Sequence, residues 1–262
     1  MPDTDWARRR EHLTSIERIE DPATISLLDR IGVAAGWRCL EVGGGGGSIA
    51  AWLCRKVGTG GRVVATDIDT RFLAALEFPQ LEVVEHDAGT DDFATAAYDL
   101  VHARNVLVHI PHREAVLRKM ASTVKPGGWI LVEEPDVSTD APDPALPEPM
   151  KDLYAGVVRR IYLFVEERGL DPRFGARVFS LLRSLGFEPL HAEGRTQVFR
   201  GGVPEVTSPH RLSFAGLRES IVAAGRVEER EYDQFLALYD DPSFAWRDAL
   251  RMATWGRRPL TG

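Results

Sequence analysis

The stretch that decides the fold is Arg38-Cys39-Leu40-Glu41-Val42-Gly43-Gly44-Gly45-Gly46-Gly47-Ser48. A short apolar run ends in five glycines, and a helical pattern then begins at Ile49-Ala50-Ala51-Trp52-Leu53. This order predicts a strand, a tight turn and a helix. Glycines at such a turn allow positive φ angles and let a ligand approach the backbone without meeting a Cβ atom. A flexible linker is the alternative, but linkers do not separate a buried strand from an amphipathic helix.

Two nucleotide-binding patterns fit this turn. The dinucleotide fingerprint fits only as Gly45-x-Gly47-x-x-Ala50. The other pattern, Glu41-x-Gly43-x-Gly45-x-Gly47, places an acid two residues before alternating glycines. In this second pattern the chain resembles the class I S-adenosylmethionine-dependent methyltransferases, whose first motif has this form.

The predicted second strand ends in an acid that both patterns require. The apolar run Val63-Val64-Ala65-Thr66 leads into Asp67, which follows the glycine turn after a helix and a second Gly-rich turn. A carboxylate at this position can accept hydrogen bonds from both ribose hydroxyls and would repel a 2′-phosphate. We assign Asp67 and its neighbour Ile68 to the cofactor site.

A third acid, Asp87, follows the predicted strand at residues 81–85. Its side chain can accept from the adenine amine and the Ala88 N–H can donate to the ring; in the resembled family an acid lies here for that purpose. Capping of the next segment is the alternative role for Asp87. Arg104, at the end of the fourth strand, is a further candidate for the cofactor site, with a structural ion pair as its alternative. Acids at the ends of three successive strands predict a ligand crevice at that edge of the sheet.

Alternating strands and helices predict an α/β fold with a doubly wound, seven-stranded sheet. The resemblance covers about residues 35–135 and implies that the last strand is antiparallel. Asp21-Pro22 predicts a break between two N-terminal helices, which in the resembled family often close over the cofactor. The predicted segments are a helical cap (1–36), the cofactor-binding half (37–136), a proline-rich loop with a lid helix (137–172), a core helix with strand six (173–200), a helical insertion (201–246) and the final strand (247–262).

The two insertions are the candidate substrate-binding segments. Tyr154, Arg159 and Tyr162 on the predicted lid helix are candidate acceptor contacts, although its apolar stripe also fits ordinary core packing. The insertion at 201–246 predicts either a second wall of the substrate pocket or a surface for a homodimer.

The resemblance implies in-line transfer of a sulfonium methyl group from S-adenosylmethionine to an oxygen, nitrogen or carbon acceptor. His109 and Glu134 are the candidate catalytic bases, and hydrogen bonding within loops is their alternative role. By analogy with the family we expect a small-molecule acceptor of natural-product type, as in secondary metabolism. Two other functions stay open: an NAD(P)-dependent oxidoreductase, and a cofactor-binding protein that transfers no methyl group.

Composition excludes several classes of protein. A net charge of −7 and a pI of about 5.6 argue against nucleic acid as a partner. The two cysteines lack nearby ligands, so we predict no metal site. The N-terminal segment has no apolar signal region, and no apolar run approaches a membrane span. We therefore expect a cytoplasmic protein that does not bind membranes.

Overall fold

The computed structural model describes residues 2–260, apart from the side chains of residues 2–5, 205, 206 and 208. The first elements are α1 (Pro2–Ile31), β1 (Arg38–Val42), α2 (Ser48–Val57), β2 (Arg62–Asp67), β3 (Leu81–Glu85), β4 (Tyr98–Arg104), α3 (Arg113–Thr123) and β5 (Val124–Asp136). They are followed by β6 (Ala141–Pro142), α4 (Glu148–Glu166), α5 (Gly175–Ser184), β7 (Leu190–Arg195), β8 (Val198–Arg200), α6 (Pro204–Ala223), α7 (Glu229–Leu238), β9 (Ala245–Arg247) and β10 (Leu250–Arg257). Short 3-10 helices lie at Leu73–Ala75, Leu107–His109 and Val137–Thr139.

These elements form two compact units. The sheet unit comprises Glu20–Pro135, Arg173–Gly194 and Arg251–Gly262. The insertion unit comprises Met1–Ile19, Asp136–Pro172 and Arg195–Leu250. Both predicted insertions, 137–172 and 201–246, thus fall within the insertion unit.

The sheet unit contains seven strands in the order β3-β2-β1-β4-β5-β10-β7. Strands β1 to β5 pair with one another in parallel. Reciprocal bonds at the start of the last hairpin, from the Glu188 amide to the Arg257 carbonyl (2.9 Å) and from the Arg257 amide to the Pro189 carbonyl (3.0 Å), have the antiparallel pattern. The predicted seven-stranded fold with an antiparallel last strand is confirmed.

Successive strand residues enter two different cores, because a strand alternates its faces and both faces of this sheet are covered. On one face, Leu40 and Val101 pack with Met120 of α3 and Val178 of α5. On the other, Cys39, Val63 and Leu100 pack with Leu28 of α1 and Leu53 of α2. This double covering leaves the strand ends, rather than the faces of the sheet, for a binding site.

The insertion unit has a core of its own. Its helices α4, α6 and α7 pack with the antiparallel sheet β6-β9-β8 around a cluster of aromatic side chains. Fully buried members include Tyr154, Phe235, Tyr239, Phe244 and Trp246. None of the described helices is both long and apolar enough to cross a membrane.

The predicted break at Asp21-Pro22 is wrong, because α1 is continuous with Pro22 in its interior. Between β2 and β3 the chain forms only the 3-10 turn Leu73–Ala75. Residues 125–128 lie inside β5, which pairs with β4 through a register shift.

Candidate functional site

The glycine turn between β1 and α2 requires glycine for two reasons. Gly43, Gly45 and Gly47 have φ angles of 68°, 52° and 89°, in the left-handed region that side chains disfavour. A Cβ atom on Gly43 would lie 2.3 Å from Cγ2 of Val106, and one on Gly47 would lie 2.7 Å from Leu76. The turn therefore packs against neighbouring side chains so closely that neither Gly43 nor Gly47 has room for a Cβ atom.

Asp67 is hydrogen-bonded directly to this turn. Its Oδ2 accepts from the Gly45 amide at 2.8 Å and its Oδ1 accepts from the Asp69 amide at 3.0 Å. Each carboxylate oxygen has a second lone pair with which it can accept a ligand hydroxyl. The next side chain, Ile68, is 68% exposed, so a large apolar group lies in solvent beside the carboxylate.

Asp87 lies at the same edge of the sheet. The amide of His86 donates to the Asp67 carbonyl at 3.0 Å, which places the segment after β3 beside the end of β2. Asp87 is exposed, and its Oδ1 accepts from the Gly89 amide at 2.8 Å, while Ala88 is buried. The structure thus brings the glycine turn, Asp67, Ile68 and Asp87 to one edge, although Asp87 also makes the local capping bond that was its alternative role.

Glu41 does not line an open surface but belongs to a buried triad. Its Oε2 lies 2.6 Å from Nδ1 of His102, and Nε2 of His102 lies 3.2 Å from Oε1 of Glu133. All three side chains are buried. Glu41 and His102 are direct partners in the β1–β4 register, which explains the contact.

The charges in this triad stabilise one another. Burial alone would lower the pKa of His102, but the Glu41 charge and the hydrogen bonds to both carboxylates raise it to about 9. Burial opposes ionisation of Glu133, yet His102, Arg104 and Thr24 together hold the pKa of Glu133 below its usual range. The sequence signal that could have revealed this triad is a polar residue inside each of three apolar strands.

Arg104 makes the ion pair that was its alternative role. Its guanidinium donates to Asp21 and to the Thr24 hydroxyl, both at 2.8 Å, and also faces Glu20. The side chain of Asn105, which has a φ of 56°, donates to Glu20 at 2.8 Å. These contacts give the predicted cofactor contact of Arg104 no support.

The two predicted bases differ sharply in environment. Glu134 is buried and accepts from the amides of Val106, Leu107 and Val108 at 2.7–3.1 Å. Burial raises the pKa of Glu134 to about 7, although these three donors oppose the shift. His109 follows them in the same 3-10 helix and is exposed, and partial removal from water lowers its pKa. The geometry of Glu134 is that of a carboxylate that shapes a loop, whereas the imidazole of His109 is accessible.

The candidate acceptor contacts on α4 also differ. Tyr154 is buried in the aromatic core of the insertion unit, and its hydroxyl donates to Asp140 at 2.9 Å. Tyr162 is half-buried and donates to the same carboxylate at 3.2 Å. Arg159 is exposed. The sequence predicts the helix, but Asp140 as the shared partner of two tyrosines comes from the proline-rich loop and was missed.

Comparison with known proteins identifies the family. A family model described as a methyltransferase domain matches residues 8–179, more than half of the chain. The chain is 31% identical over 153 residues to methyltransferase str3 of Strobilurus tenacellus (56% of this chain, 51% of the relative). It is 30% identical over 118 residues to the ubiquinone biosynthesis O-methyltransferase of Chromobacterium violaceum (42% and 50%). The chain thus spans about half the length of these curated relatives.

Solved structures share the fold. A proposed methyltransferase from Bacillus halodurans superposes with a TM-score of 0.58 at 19% identity, covering 90% of this chain and 99% of the other. Phosphoethanolamine N-methyltransferase 2 of Haemonchus contortus superposes with a TM-score of 0.54 at 18% identity, covering 91% and 52%. With the strand order, the glycine turn and the match to the family model, these findings show that the chain belongs to the class I S-adenosylmethionine-dependent methyltransferases.

Proposed function

We propose that the chain transfers the methyl group of S-adenosylmethionine to a small-molecule oxygen, nitrogen or carbon acceptor by in-line displacement. The observation that carries this proposal is the hydrogen bond between the glycine turn and Asp67. It sets an oriented carboxylate beside a turn of positive-φ glycines at the edge where open α/β sheets bind ligands.

The residues at this edge fit an adenosyl group. Asp67 has acceptor capacity left for two ribose hydroxyls, and the exposed Ile68 offers an apolar surface against which an adenine ring can pack. Asp87 and the Ala88 amide would bind the edge of the base. The turn of Gly43, Gly45 and Gly47 would hold the part of the cofactor nearest the sulfur.

Binding and positioning are the main tasks of this chain. The cofactor supplies a methyl group that its positively charged sulfur already activates. The protein must hold the acceptor in line with the methyl carbon and the sulfur, and such positioning can contribute about 7–11 kcal/mol. A fixed catalytic triad is therefore not required.

His109 is our candidate base where the acceptor must lose a proton. Its imidazole is exposed and its pKa is lowered, so at neutral pH the ring is largely in the neutral form that can accept a proton. Glu134, bound to three backbone amides, is assigned to shaping the loop before His109 rather than to proton transfer.

Tyr162 and Arg159 are our candidate acceptor contacts, because Tyr162 is only half-buried and Arg159 is exposed. Tyr154 would act indirectly, by sharing Asp140 with Tyr162. Two kinds of relative are named for methylation in ubiquinone biosynthesis and of phosphoethanolamine. Both names refer to small molecules, which supports a small acceptor for this chain. A natural-product acceptor, a cytoplasmic location and a homodimer through residues 201–246 are further proposals; light scattering on the purified chain tests the last.

The proposal is tested in two steps. Calorimetric titration should show binding of S-adenosylhomocysteine and none of NADH. Incubation with methyl-labelled cofactor and a panel of phenols, amines and activated carbon acids should then show label transfer to at least one class. Binding without transfer to any acceptor, in the panel or in a small-molecule extract, would leave a cofactor-binding protein that transfers no methyl group.

A further inference from the structure

A network of hydrogen-bonded polar side chains connects the two ends of the glycine turn. Before the turn, Glu41 contacts His102 at 2.6 Å, and His102 contacts Glu133 at 3.2 Å. After the turn, the hydroxyl of Ser48 donates to Oδ1 of Asp21 at 3.1 Å. The two ends therefore lead into the same interior region of the sheet unit.

Thr24 and Arg104 join these two halves. Arg104 donates to Oδ1 of Asp21 and to the hydroxyl of Thr24, both at 2.8 Å. The charge of Arg104 and the hydroxyl of Thr24 also act on Glu133, whose pKa they help to lower. The connection thus runs from the acid that precedes the glycines to the first helical residue after them, through α1, β4 and β5.

With Glu41 and Glu133 both ionised, the geometry of His102 calls for the charged imidazolium. Each ring nitrogen faces a carboxylate oxygen within hydrogen-bonding distance, and a carboxylate can only accept. A neutral imidazole has one N–H, so its other nitrogen would direct a lone pair at a buried carboxylate. Because His102 is fully buried, no solvent can replace the missing donor.

We propose that His102 is a positioning residue for the cofactor, whose imidazolium holds Glu41 and thereby keeps the glycine turn in the shape that receives the adenosyl group. The inference rests on the proposed function, because it takes this turn as the seat of the cofactor. Deprotonation of His102 would then weaken cofactor binding without removing any group that touches the ligand.

The two carboxylates that contact His102 favour this protonated form, and acids outnumber cations in the polar network around it. Glu41 lies on β1, Glu133 on β5, and Glu20 and Asp21 on α1. The opposing cations are Arg104, on the same strand as His102, and Arg251 of β10, which pairs with Glu20 at 3.3 Å. Counting these described side chains, four acids face two arginines and the imidazolium, so loss of the imidazolium proton would leave two more acids than cations. The pKa of about 9 for His102 places that loss above neutrality.

The test measures affinity against pH with a probe that does not itself titrate. The probe is 5′-methylthioadenosine, which has no amino or carboxyl group, with S-adenosylhomocysteine as a second ligand. For the wild type, calorimetry from pH 6.5 to 10 should give constant affinity up to about pH 8 and at least a fivefold loss by pH 10. Glu133→Gln should move this loss to lower pH, because one carboxylate that favours the imidazolium is gone.

His102→Asn should bind more weakly at pH 7 and lose the pH dependence. His191→Asn is the matched control, since His191 is exposed and stacks on Trp255. It should follow the wild type at every pH. An unchanged pH dependence in a folded His102→Asn protein would overturn the inference.

If His102→Asn does not fold, histidine NMR of the wild type replaces it. The ring of His102, assigned by comparison with the Glu133→Gln spectrum, should titrate at the pH where probe affinity is lost. Titration of His102 at a different pH from the loss of affinity would also overturn the inference. A wild-type chain that binds neither ligand at any pH would instead refute the proposed function, on which the inference depends.

Discussion

The amide of Gly45 donates a hydrogen bond to the carboxylate of Asp67 over 2.8 Å. This bond joins the turn after β1 to the end of β2, and a second donor, the Asp69 amide, fixes the other oxygen at 3.0 Å. Backbone amides orient both oxygens before a ligand arrives. The Asp67 side chain therefore loses little conformational entropy when ribose hydroxyls bind. The pair is thus a preorganised half of the proposed cofactor site.

Asp67→Ala should weaken S-adenosylhomocysteine binding by about 1.5–3 kcal/mol, the usual contribution of a hydrogen bond to a charged group. Calorimetric titration measures this loss, and thermal unfolding checks that the variant is folded. Glu85→Gln is the control, because Glu85 is the register partner of Asp67 on β3 but is exposed. Equal affinities in Asp67→Ala and Glu85→Gln would remove Asp67 from the site.

Gly43→Ala should impair both the turn and cofactor binding. The new Cβ would lie 2.3 Å from Cγ2 of Val106, and the φ of 68° disfavours any side chain. We expect a stability loss of about 1–3 kcal/mol, as for overpacking in a well-packed region. Adding Val106→Ala should recover part of that loss in urea unfolding, because it removes the clash but not the backbone strain. No recovery in the double variant would show that strain alone limits this position.

Local pattern accounts for much of what the sequence predicts correctly. The glycine turn and the strands that end in Asp67 and near Asp87 depend on residues close together in the chain. The triad does not, since Glu41 and His102 are 61 positions apart and meet only through strand pairing. The absence of a helix break at Pro22 has a similar origin, because Asp21 bonds to Arg104, 83 positions away, instead of capping a new helix. A contact between residues far apart in the sequence thus overrides the helix break that the local Asp21-Pro22 pattern predicts.

Glu134→Gln should cost about 1–3 kcal/mol of stability with little specific effect on proton transfer. A glutamine oxygen at the Oε1 position can still accept from Val106 and Leu107, but its NH₂ group would face the amide of Val108. A buried donor without an acceptor carries a penalty of that size. Urea unfolding measures it. Unchanged stability combined with lost methyl transfer would make Glu134 the base after all.

His109→Gln should have the opposite profile. Because His109 is exposed, we expect a stability change within about 0.5 kcal/mol. With an acceptor that must lose a proton, kcat should fall by about 10²-fold or more, the usual contribution of general base catalysis. Its pH–rate profile should also lose the acidic limb that an imidazole of lowered pKa produces. A variant with wild-type kcat and the same acidic limb would exclude His109.

Tyr154→Ala should lower the stability of the chain by about 3–5 kcal/mol, as expected for removal of a buried aromatic ring. Tyr154 packs against Phe235 and Phe244 with ring centroids 5.7 and 5.2 Å away. Leu163→Ala, on the same helix but 46% exposed, is the control and should change little. Loss of methyl transfer at unchanged stability in Tyr154→Ala would instead identify Tyr154 as an acceptor contact.

The stability of the wild type should fall as the pH rises from 6.5 to 8.5. The folded-state pKa of His102 is raised to about 9, above its unfolded value near 6.5. In this window the folded chain therefore keeps a proton that the unfolded chain has released. The stabilisation is fully present below pH 6.5 and declines by up to about 1.4 kcal/mol per pH unit as the pH rises towards 9.

Urea unfolding across this window measures the slope. The buried thiols, with pKa values raised to about 11 for Cys54 and higher for Cys39, add a loss of the same sign only as the pH approaches that of a free thiol. His102→Asn should be less stable at pH 6.5, because Glu41 and Glu133 lose their shared cation, and should show a flatter slope up to pH 8.5. Equal slopes in the two proteins would mean that His102 is not charged in the folded chain, and the triad would then have to contain a shared carboxyl proton instead.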